Sequence, residues 1–241
     1  MIVRLADFNI DYQYRYLTQQ EMCADYIVSD DESVDYAIRV QKREIEDAVA
    51  NDSDHHYPSY FESLFFYRDL AEWLPLHEAF VFHSACFDVD GVGVAFTAHS
   101  GTGKTTHMRL WKDMLGERMT VINGDKPIVR FFKDEINTPY AYGTPWMGKE
   151  HYGTNARTRL KHICFINRSL ENSVIPLQKK DVVNRIMNQV YRPHDSVSVL
   201  KTMQLIDRLL SCCDLWQINC NMDPSAAETA YKEIFKQKRG D

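Results

Sequence analysis

The sequence predicts an α/β domain built around a phosphate-binding loop. Its main support is a strand-like run at 93–97, which leads through a short loop with two glycines into a helix-compatible stretch at 105–115. A second observation is Asp125, which ends another apolar strand-like run twenty residues after Thr105. Strand-like and helical patterns then follow one another to the C-terminus, as in α/β proteins.

The loop carries a recognisable motif. Residues 98–106 read Ala-His-Ser-Gly-Thr-Gly-Lys-Thr-Thr, which matches the pattern G-x-x-x-x-G-K-[ST] except that Ala98 replaces the first glycine. In such a loop backbone N–H groups surround a phosphate, and the N-terminus of the next helix adds partial positive charge. A chance glycine-rich turn is the alternative. The residues predicted to bind a nucleoside triphosphate are Ser100, Gly101, Thr102, Gly103, Lys104, Thr105 and Thr106.

Composition narrows the class of protein. The chain has 241 residues, 44% of them hydrophobic and 26% charged, as in a soluble globular protein. Its formal net charge of −6 argues against a general nucleic-acid partner. Without a long apolar run or a signal-peptide core we expect a cytoplasmic protein with no membrane partner. The six cysteines form no C-x-x-C pair and are expected to be reduced.

The first 78 residues are predicted to form strands and two helices that pack on a P-loop kinase-like domain at 79–241. Partial alternation of β-branched and aromatic residues predicts strands at 4–9, 11–17, 24–28 and 36–40. Helices are predicted at 41–49 and 59–74. A polar loop at 51–56 mixes carboxylates and imidazoles, and we interpret it as an exposed loop rather than a metal site.

The remaining elements follow from the same patterns. A long strand at 79–89 carries His83 and turns at Asp90-Gly91 into the strand that precedes the loop. Further strands are predicted at 119–122, 128–133, 140–142, 161–167, 173–177 and 215–219. Helices are predicted at 179–190, 197–212 and 224–236.

Several residues outside the loop are candidates for chemistry. Asp125 is the leading candidate to bind Mg²⁺ with Thr105 and to orient the phosphoryl acceptor, with a simple turn aspartate as the alternative. His83, taken by position alone, is more typical of a structural histidine. The glycine-rich segment 143–153 suits a loop that closes over substrate, but equally an ordinary surface loop. Its substrate candidates are Trp146, Gly148 and Lys149.

Two of these stretches resemble a known family. Residues 100–106 followed by Val-Ile-Asn-Gly-Asp at 121–125 resemble the C-terminal domain of HPr kinase/phosphorylase and the ATP-dependent phosphoenolpyruvate carboxykinases. The His83-Ser-Ala run and Gly91-Val-Gly-Val resemble the same family, and 143–149 with 160–166 is similar to small HPr-kinase-like proteins of bacteria.

The resemblance implies a P-loop α/β fold on a curved mixed sheet flanked by helices. It also implies Mg²⁺-dependent transfer of the ATP γ-phosphoryl group to a hydroxyl. Lys104 and Thr105 would serve phosphate and metal, Asp125 would match the second acid of the family's pair, and His83 would match its active-site histidine.

The sequence also departs from that family. Gly124 stands where the first acid of the pair is expected, and the glycine-rich phosphorylase signature has no counterpart. We therefore expect a kinase acting on a small-molecule hydroxyl or on a seryl group of a peptide or protein. The alternative is a non-catalytic nucleotide-binding switch or scaffold. The choice between ATP and other nucleotides, the acceptor and a homo-oligomeric state stay open.

Overall fold

The computed structural model describes residues 1–135 and 137–236, which contain thirteen strands, seven α-helices and three short 3-10 helices. The 3-10 helices are Ala24–Tyr26, Leu74–His77 and Gly116–Arg118.

The N-terminal part forms a four-stranded sheet with order β3-β1-β2-β4. Its strands are β1 (Ile2–Leu5), β2 (Phe8–Tyr12), β3 (Ile27–Val28) and β4 (Tyr36–Ile38). Its helices are α1 (Leu17–Met22), α2 (Lys42–Ala50) and α3 (Pro58–Trp73). Pro58 begins α3, where its missing N–H costs nothing because the first helical N–H groups have no partner within the helix.

The rest of the described chain forms a nine-stranded mixed sheet. Its strands are β5 (Ala79–Val81), β6 (Ala85–Val89), β7 (Val92–Thr97), β8 (Met119–Asn123), β9 (Ile128–Arg130), β10 (Tyr140–Tyr142), β11 (Arg157–Arg168), β12 (Ser173–Pro176) and β13 (Asp214–Cys220). Its helices are α4 (Lys104–Leu115), α5 (Lys179–Met187), α6 (Ser196–Cys212) and α7 (Ser225–Phe235). The predicted α/β class with a mixed sheet flanked by helices is confirmed.

Helices cover both faces of the central strands. Val94 and Phe96 of β7 point to the side of α4 and α7, whereas Ala95 between them points to α5 and α6. The same alternation continues on β11, where Cys164 and Ile166 share the first face. Burial of both faces explains why these strands are continuous apolar runs in the sequence.

Strand directions place several strand ends at one edge of the sheet. Strands β7, β11 and β13 are parallel neighbours, so Thr97, Arg168 and Cys220 end at the same edge. Strand β6 is antiparallel to both β7 and β8, so β8 also ends there, at Asn123. Ligands of α/β proteins bind in the crevice outside such strand ends.

One hydrophobic cluster joins the N-terminal part to the later sheet. It contains Phe66 and Leu70 of α3 together with Val81, Ile128 and Tyr142 of strands β5, β9 and β10. The two parts also share polar contacts, including a hydrogen bond from the hydroxyl of Tyr142 to the Asp7 carboxylate.

Of the strand expected at 24–28, only Ile27–Val28 is present, as β3 after the 3-10 helix Ala24–Tyr26. Three further predicted strands differ from the structure. The strand expected at 11–17 ends at Tyr12, and helix α1 begins at Leu17. The strand expected at 4–9 is interrupted by a tight turn at Ala6 and Asp7, whose φ angles are 50° and 60°. Hairpin turns with these angles usually carry glycine or asparagine, and the absence of both at positions 6 and 7 is why the turn was not predicted.

The third difference concerns His83, which was expected in the middle of one strand. That strand is broken into β5 and β6, and His83 lies in the break. The backbone N–H groups of Phe82, His83 and Ser84 donate to the carbonyls of Pro127, Gln189 and Asp125. The backbone hydrogen-bond partners of the chain therefore change within this break, from β9 before it to β7 and β8 after it.

Within residues 1–135 and 137–236, none of the helices has the length and hydrophobicity required to cross a bilayer.

Candidate active site

The predicted phosphate-binding loop joins the end of β7 to the start of α4. Gly101 and Gly103 have φ angles of 76° and 118°, a region that favours glycine. Gly103 precedes the first helical residue, which is Lys104 rather than the predicted Thr105. The loop therefore ends at the partially positive N-terminus of a twelve-residue helix. This geometry suits an anion in contact with the backbone N–H groups.

Lys104 points back across the loop. Its Nζ lies 3.3 Å from the carbonyl oxygen of Ala98 and 3.2 Å from Nε2 of His83. Burial lowers the pKa of the Lys104 ammonium, while the charge of Asp125 opposes this effect. An ammonium that is partly desolvated gains more from a bound phosphate than one in bulk water.

Asp125 is positioned by the buried side chain of Asn123. The Asn123 Oδ1 accepts hydrogen bonds from the backbone N–H groups of Asp125 and Lys126, at 2.8 and 2.7 Å. Its Nδ2 donates to the carbonyl and hydroxyl oxygens of Thr144, both at 3.0 Å. Sequence analysis recognised Asn-Gly-Asp as a turn but gave Asn123 no role, although an asparagine that bonds to the backbone two residues ahead is a known turn former.

The Asp125 carboxylate has a partner on each oxygen. His83 Nε2 lies 3.2 Å from Oδ1, and Lys126 Nζ lies 2.7 Å from Oδ2. Burial by itself would raise the pKa of Asp125, but the hydrogen bond from His83 and the charge of Lys126 outweigh it and lower this pKa to about 2. The carboxylate is therefore ionised at neutral pH, as a metal ligand must be.

His83 lies between the cation and the anion. Its Nε2 is 3.2 Å from both Lys104 Nζ and Asp125 Oδ1. A ring nitrogen either carries a proton or accepts one, so it cannot bond to both partners at once. If Lys104 turns toward a phosphate, the protonated Nε2 can donate to Asp125 alone. His83 can thus orient the carboxylate that faces the phosphate site.

Gly124 is packed against the segment 147–152. Its N–H donates to the carbonyl of Tyr152 at 2.7 Å. A Cβ atom added at Gly124 would lie 2.9 Å from the carbonyl oxygen of Met147 and 3.1 Å from that of Tyr152. The segment would have to move for any side chain to fit here. The acidic side chain that the resembling HPr kinase family has at this position would therefore not fit here without such a movement.

The predicted groups converge on one cavity of about 360 Å³. The predicted residues that line it are His83, Ser100, Gly101, Lys104, Thr105, Asp125, Gly148 and Lys149. Sequence reasoning missed Lys126, Glu150 and Tyr152, which also line it. Of the other loop residues predicted to bind phosphate, Gly103 caps the helix and Thr106 is exposed on its first turn.

Trp146, which was predicted to contact substrate, packs elsewhere. Its indole N–H donates to the hydroxyl of Ser63 at 3.2 Å, and its ring lies against Phe66 and Tyr67. The lining of the cavity begins one residue later, at Met147. Trp146 thus attaches the glycine-rich segment to helix α3.

The donor set at the cavity fits a magnesium ion. Thr105 offers a hydroxyl and Asp125 an ionised carboxylate, and Mg²⁺ binds through one or two such oxygens together with water and substrate phosphates. Among residues 1–135 and 137–236, three metal-ligating side chains come within 4.8 Å of one another only at Asp52, Asp54 and His56. That exposed cluster lies in the loop between α2 and α3, not at this cavity.

A second groove, of about 710 Å³, lies on the other side of the loop. It is lined by the loop residues 100–102 and by Asn167, Arg168 and Asn219 at the ends of β11 and β13. Arg168 donates to the carbonyls of Gly101 and Thr102 and so holds the loop from this side. Sequence analysis did not single out these three residues, because they approach the loop only after the parallel strands pair.

Comparison with known proteins adds little to this geometry. No protein-family model matches the sequence, and neither does any curated protein. Among solved structures, the Hpr(Ser) kinase/phosphatase from Coxiella burnetii aligns with 66% of this chain and 98% of its own. The TM-score is 0.38 and the sequence identity is 7%, so this likeness carries no argument about function. The function has to be argued from the residues of the site.

Proposed function

We propose that this protein is an ATP-dependent kinase that transfers the γ-phosphoryl group to a hydroxyl. One observation carries the proposal: Lys104 Nζ and Asp125 Oδ1 each lie 3.2 Å from His83 Nε2 at the N-terminus of α4, on a cavity of about 360 Å³. Anion-binding backbone, cation and carboxylate are the parts that phosphoryl transfer needs.

Each part has a role in the proposed reaction. The backbone N–H groups at 101–105 bind the phosphates, and Lys104 leaves Ala98 and His83 to neutralise the β- and γ-phosphates. Mg²⁺, held by Thr105 and Asp125, would neutralise developing charge on the phosphate oxygens. The phosphates then lie between a cationic and an anionic side of the site.

The acceptor hydroxyl approaches the γ-phosphorus beside Asp125 and His83. The hydroxyl oxygen attacks the γ-phosphorus, the bond from that phosphorus to the β–γ bridging oxygen breaks, and the hydroxyl proton passes to the pair of Asp125 and His83. The products are ADP and a phosphorylated acceptor. With a pKa of about 2, Asp125 acts mainly by orienting the hydroxyl, because a strong base is not required for a loose transition state.

The Lys104→Ala variant tests the phosphate site. We expect it to weaken binding of Mg·ATP by at least about tenfold, since it removes a charged contact to phosphate. Arg109→Ala is the matched control, because Arg109 is an exposed cation on the same helix. Calorimetric titration of both variants makes the comparison. If Lys104→Ala binds Mg·ATP with wild-type affinity, the loop is not the nucleotide-binding site.

The Asp125→Asn variant tests catalysis separately from binding. We expect ATP to bind while release of phosphate to water, and transfer to a panel of hydroxyl compounds, falls by about 100-fold or more. Asp113→Asn, on the exposed side of α4, is the control. Turnover by Asp125→Asn at the wild-type rate would mean that another group orients the acceptor.

The alternative is a nucleotide-binding switch or scaffold. It is favoured by the single carboxylate at 125, where the resembling family has a pair, and by the ion pair between Asp125 and Lys126. A switch binds the triphosphate through Lys104 but releases no more than one phosphate per protein molecule. Many turnovers per protein molecule in the phosphate-release assay would exclude it.

A further inference from the structure

A third cavity, of about 230 Å³, lies beside the phosphate-binding loop. Ala98 and Thr102 of the loop form one wall, and Phe165 and Asn167 at the end of β11 form another. Arg185 of α5 and Gln189 just beyond that helix complete it. The volume corresponds to about eight water molecules, which suits a small molecule and not a peptide.

Gln189 brings an unsatisfied acceptor to this cavity. The residue is only 7% exposed, and its buried Oε1 has no hydrogen-bond partner. Such groups are rare because leaving one unpaired costs about 1–3 kcal/mol. The main-chain carbonyl of Gln189 also accepts a hydrogen bond from the N–H of His83, at 2.7 Å. The cavity therefore lies next to the backbone of the candidate active-site histidine.

Arg185 brings a cation without a counter-ion. Its guanidinium stacks on Phe165 at 4.4 Å and donates to the amide oxygens of Gln217 and Asn167, at 3.1 and 3.5 Å. Among the residues the structure describes, no carboxylate forms an ion pair with it. Burial lowers the pKa of this guanidinium, as expected when only neutral groups surround a desolvated cation.

We propose that this cavity binds the anionic end of the phosphoryl acceptor, which is therefore a small hydroxyl compound that also carries a carboxylate or phosphate group. Arg185 pairs with the anion through its planar fork. Rotation of the buried Gln189 amide toward the cavity lets its Oε1 accept a hydrogen bond from a hydroxyl of the same molecule. The inference rests on the proposed kinase function and specifies its substrate class.

The position of the cavity connects it to the reaction. Ala98 lines it, and the carbonyl of Ala98 is also a partner of Lys104. A compound anchored on Arg185 can therefore direct a hydroxyl past Ala98 and His83 to the γ-phosphorus. That oxygen–phosphorus bond forms as the bond to the bridging oxygen breaks, and the proton again passes to Asp125 and His83, while the anionic group keeps its charge.

Matched pairs of probes test the substrate class. With the protein saturated by Mg²⁺ and a non-hydrolysable ATP analogue, calorimetry measures glycerol 3-phosphate against glycerol, gluconate against sorbitol, and glycolate against ethylene glycol. We expect at least one anionic probe to bind and its uncharged counterpart not to bind. Binding of an uncharged probe, or of none of the anionic ones, would overturn the proposal.

Substitutions then test whether Arg185 carries the recognition. Arg185→Gln should weaken binding of the anion by about tenfold or more. Arg185→Lys should recover part of this affinity, because the positive charge returns without the planar fork. Lys180→Gln is the control, since it removes an exposed cation from the same helix. Gln189→Leu should weaken binding of a hydroxylated anion more than binding of acetate, because acetate has no hydroxyl group to donate to Gln189. Equal affinity of Arg185→Gln and wild type for the anion would contradict the proposal.

The two proposals fail in different ways. If the ATP analogue does not bind to the wild-type protein through Lys104, the kinase function itself fails. If the analogue binds and the protein releases phosphate from ATP, but anion binding does not depend on Arg185, only the substrate class proposed for this cavity is wrong.

Discussion

His107 is a buried titratable side chain on helix α4. His107 is 2% exposed, and its Nε2 accepts the indole N–H of Trp111 at 3.3 Å. The proton of the neutral ring is therefore on Nδ1, which has no hydrogen-bond partner. Burial lowers the pKa of this histidine to about 4.

We predict that the protein loses stability between about pH 6.5 and pH 4. The unfolded chain takes up a proton at His107 near pH 6.5, whereas the folded protein takes it up only near pH 4. The unfolded state thus binds more protons in this range, and the free energy of unfolding falls as the pH falls. The loss is at most about 3.4 kcal/mol, at 1.36 kcal/mol per unit of pKa difference.

Urea unfolding from pH 8 to pH 4 measures this effect. His107→Gln keeps an acceptor for Trp111 and should remove most of the pH dependence in that range. His55→Gln, which changes an exposed histidine, should leave it unchanged. A pH dependence that is the same in His107→Gln and wild type would show that other groups cause the acid sensitivity.

Single residues also show what a sequence can and cannot reveal about the site. Lys104 and Thr105 were found because the motif that carries them is continuous in the chain. Asp125 was found from its place at the end of an apolar strand twenty residues after Thr105. His83 was found only through the resemblance, since its position alone is more typical of a structural histidine. Asn123, Arg168 and Gln189 were missed, because their roles depend on backbone groups that approach only in the folded protein.

At the scale of elements, the segment 143–153 is a packed element as well as a cavity wall. Its Gly148 lies against Asp125, where an added Cβ would approach the Asp125 Cβ to 3.0 Å. An added Cβ at Gly143 or Gly153 would also overlap neighbouring atoms. From the sequence, these glycines suited either a loop that closes over substrate or an ordinary surface loop. In the structure, close packing by itself explains why glycine stands at all three positions.

We predict that Gly124→Ala displaces this segment and lowers both stability and turnover. The added methyl group meets two carbonyl oxygens, and such overpacking typically costs about 1–3 kcal/mol. The comparison variant is Gly116→Ala, because Gly116 has a φ of 57° and open space around its Cβ position. Gly116→Ala should lose stability through backbone strain but keep the nucleotide site. Full turnover in Gly124→Ala would refute the steric role of this glycine.

Element boundaries were predicted well where the pattern alone decides them. Helices expected at 59–74, 197–212 and 224–236 are present within a few residues of those bounds, because their apolar faces repeat at helical spacing. The strand expected at 79–89 was wrong in its middle, since both halves are apolar and only tertiary hydrogen bonds reveal the break at 82–84.

At the scale of the whole molecule, the four-stranded N-terminal sheet and the nine-stranded sheet share buried surface. Arg130 of β9 lies 3.7 Å above the Phe8 ring, and Tyr191, beyond α5, donates to Glu72 of α3 at 2.7 Å. Trp146 reaches α3 from the glycine-rich segment. Separating the two parts would expose the hydrophobic cluster that they share.

We therefore predict a single cooperative unfolding transition. The fluorescence of the four tryptophans allows this to be measured. Trp73 and Trp146 report on the shared cluster, whereas Trp111 and Trp216 report on the cluster beside α4 and α7. Two double variants, each with one of these pairs changed to Phe, should each give coincident urea midpoints by fluorescence and by circular dichroism. Separate midpoints in either variant would indicate that the two parts unfold independently.

The central claim is that the loop at 100–105 and the pair of His83 and Asp125 hold a nucleoside triphosphate for transfer. A crystal structure with Mg²⁺ and a non-hydrolysable ATP analogue tests this claim most directly. We predict phosphates on the backbone N–H groups of the loop, Lys104 turned from His83 to the phosphates, and metal between Thr105 and Asp125. A triphosphate bound elsewhere, or bound here with Lys104 still on His83 and no metal beside Asp125, would contradict the account.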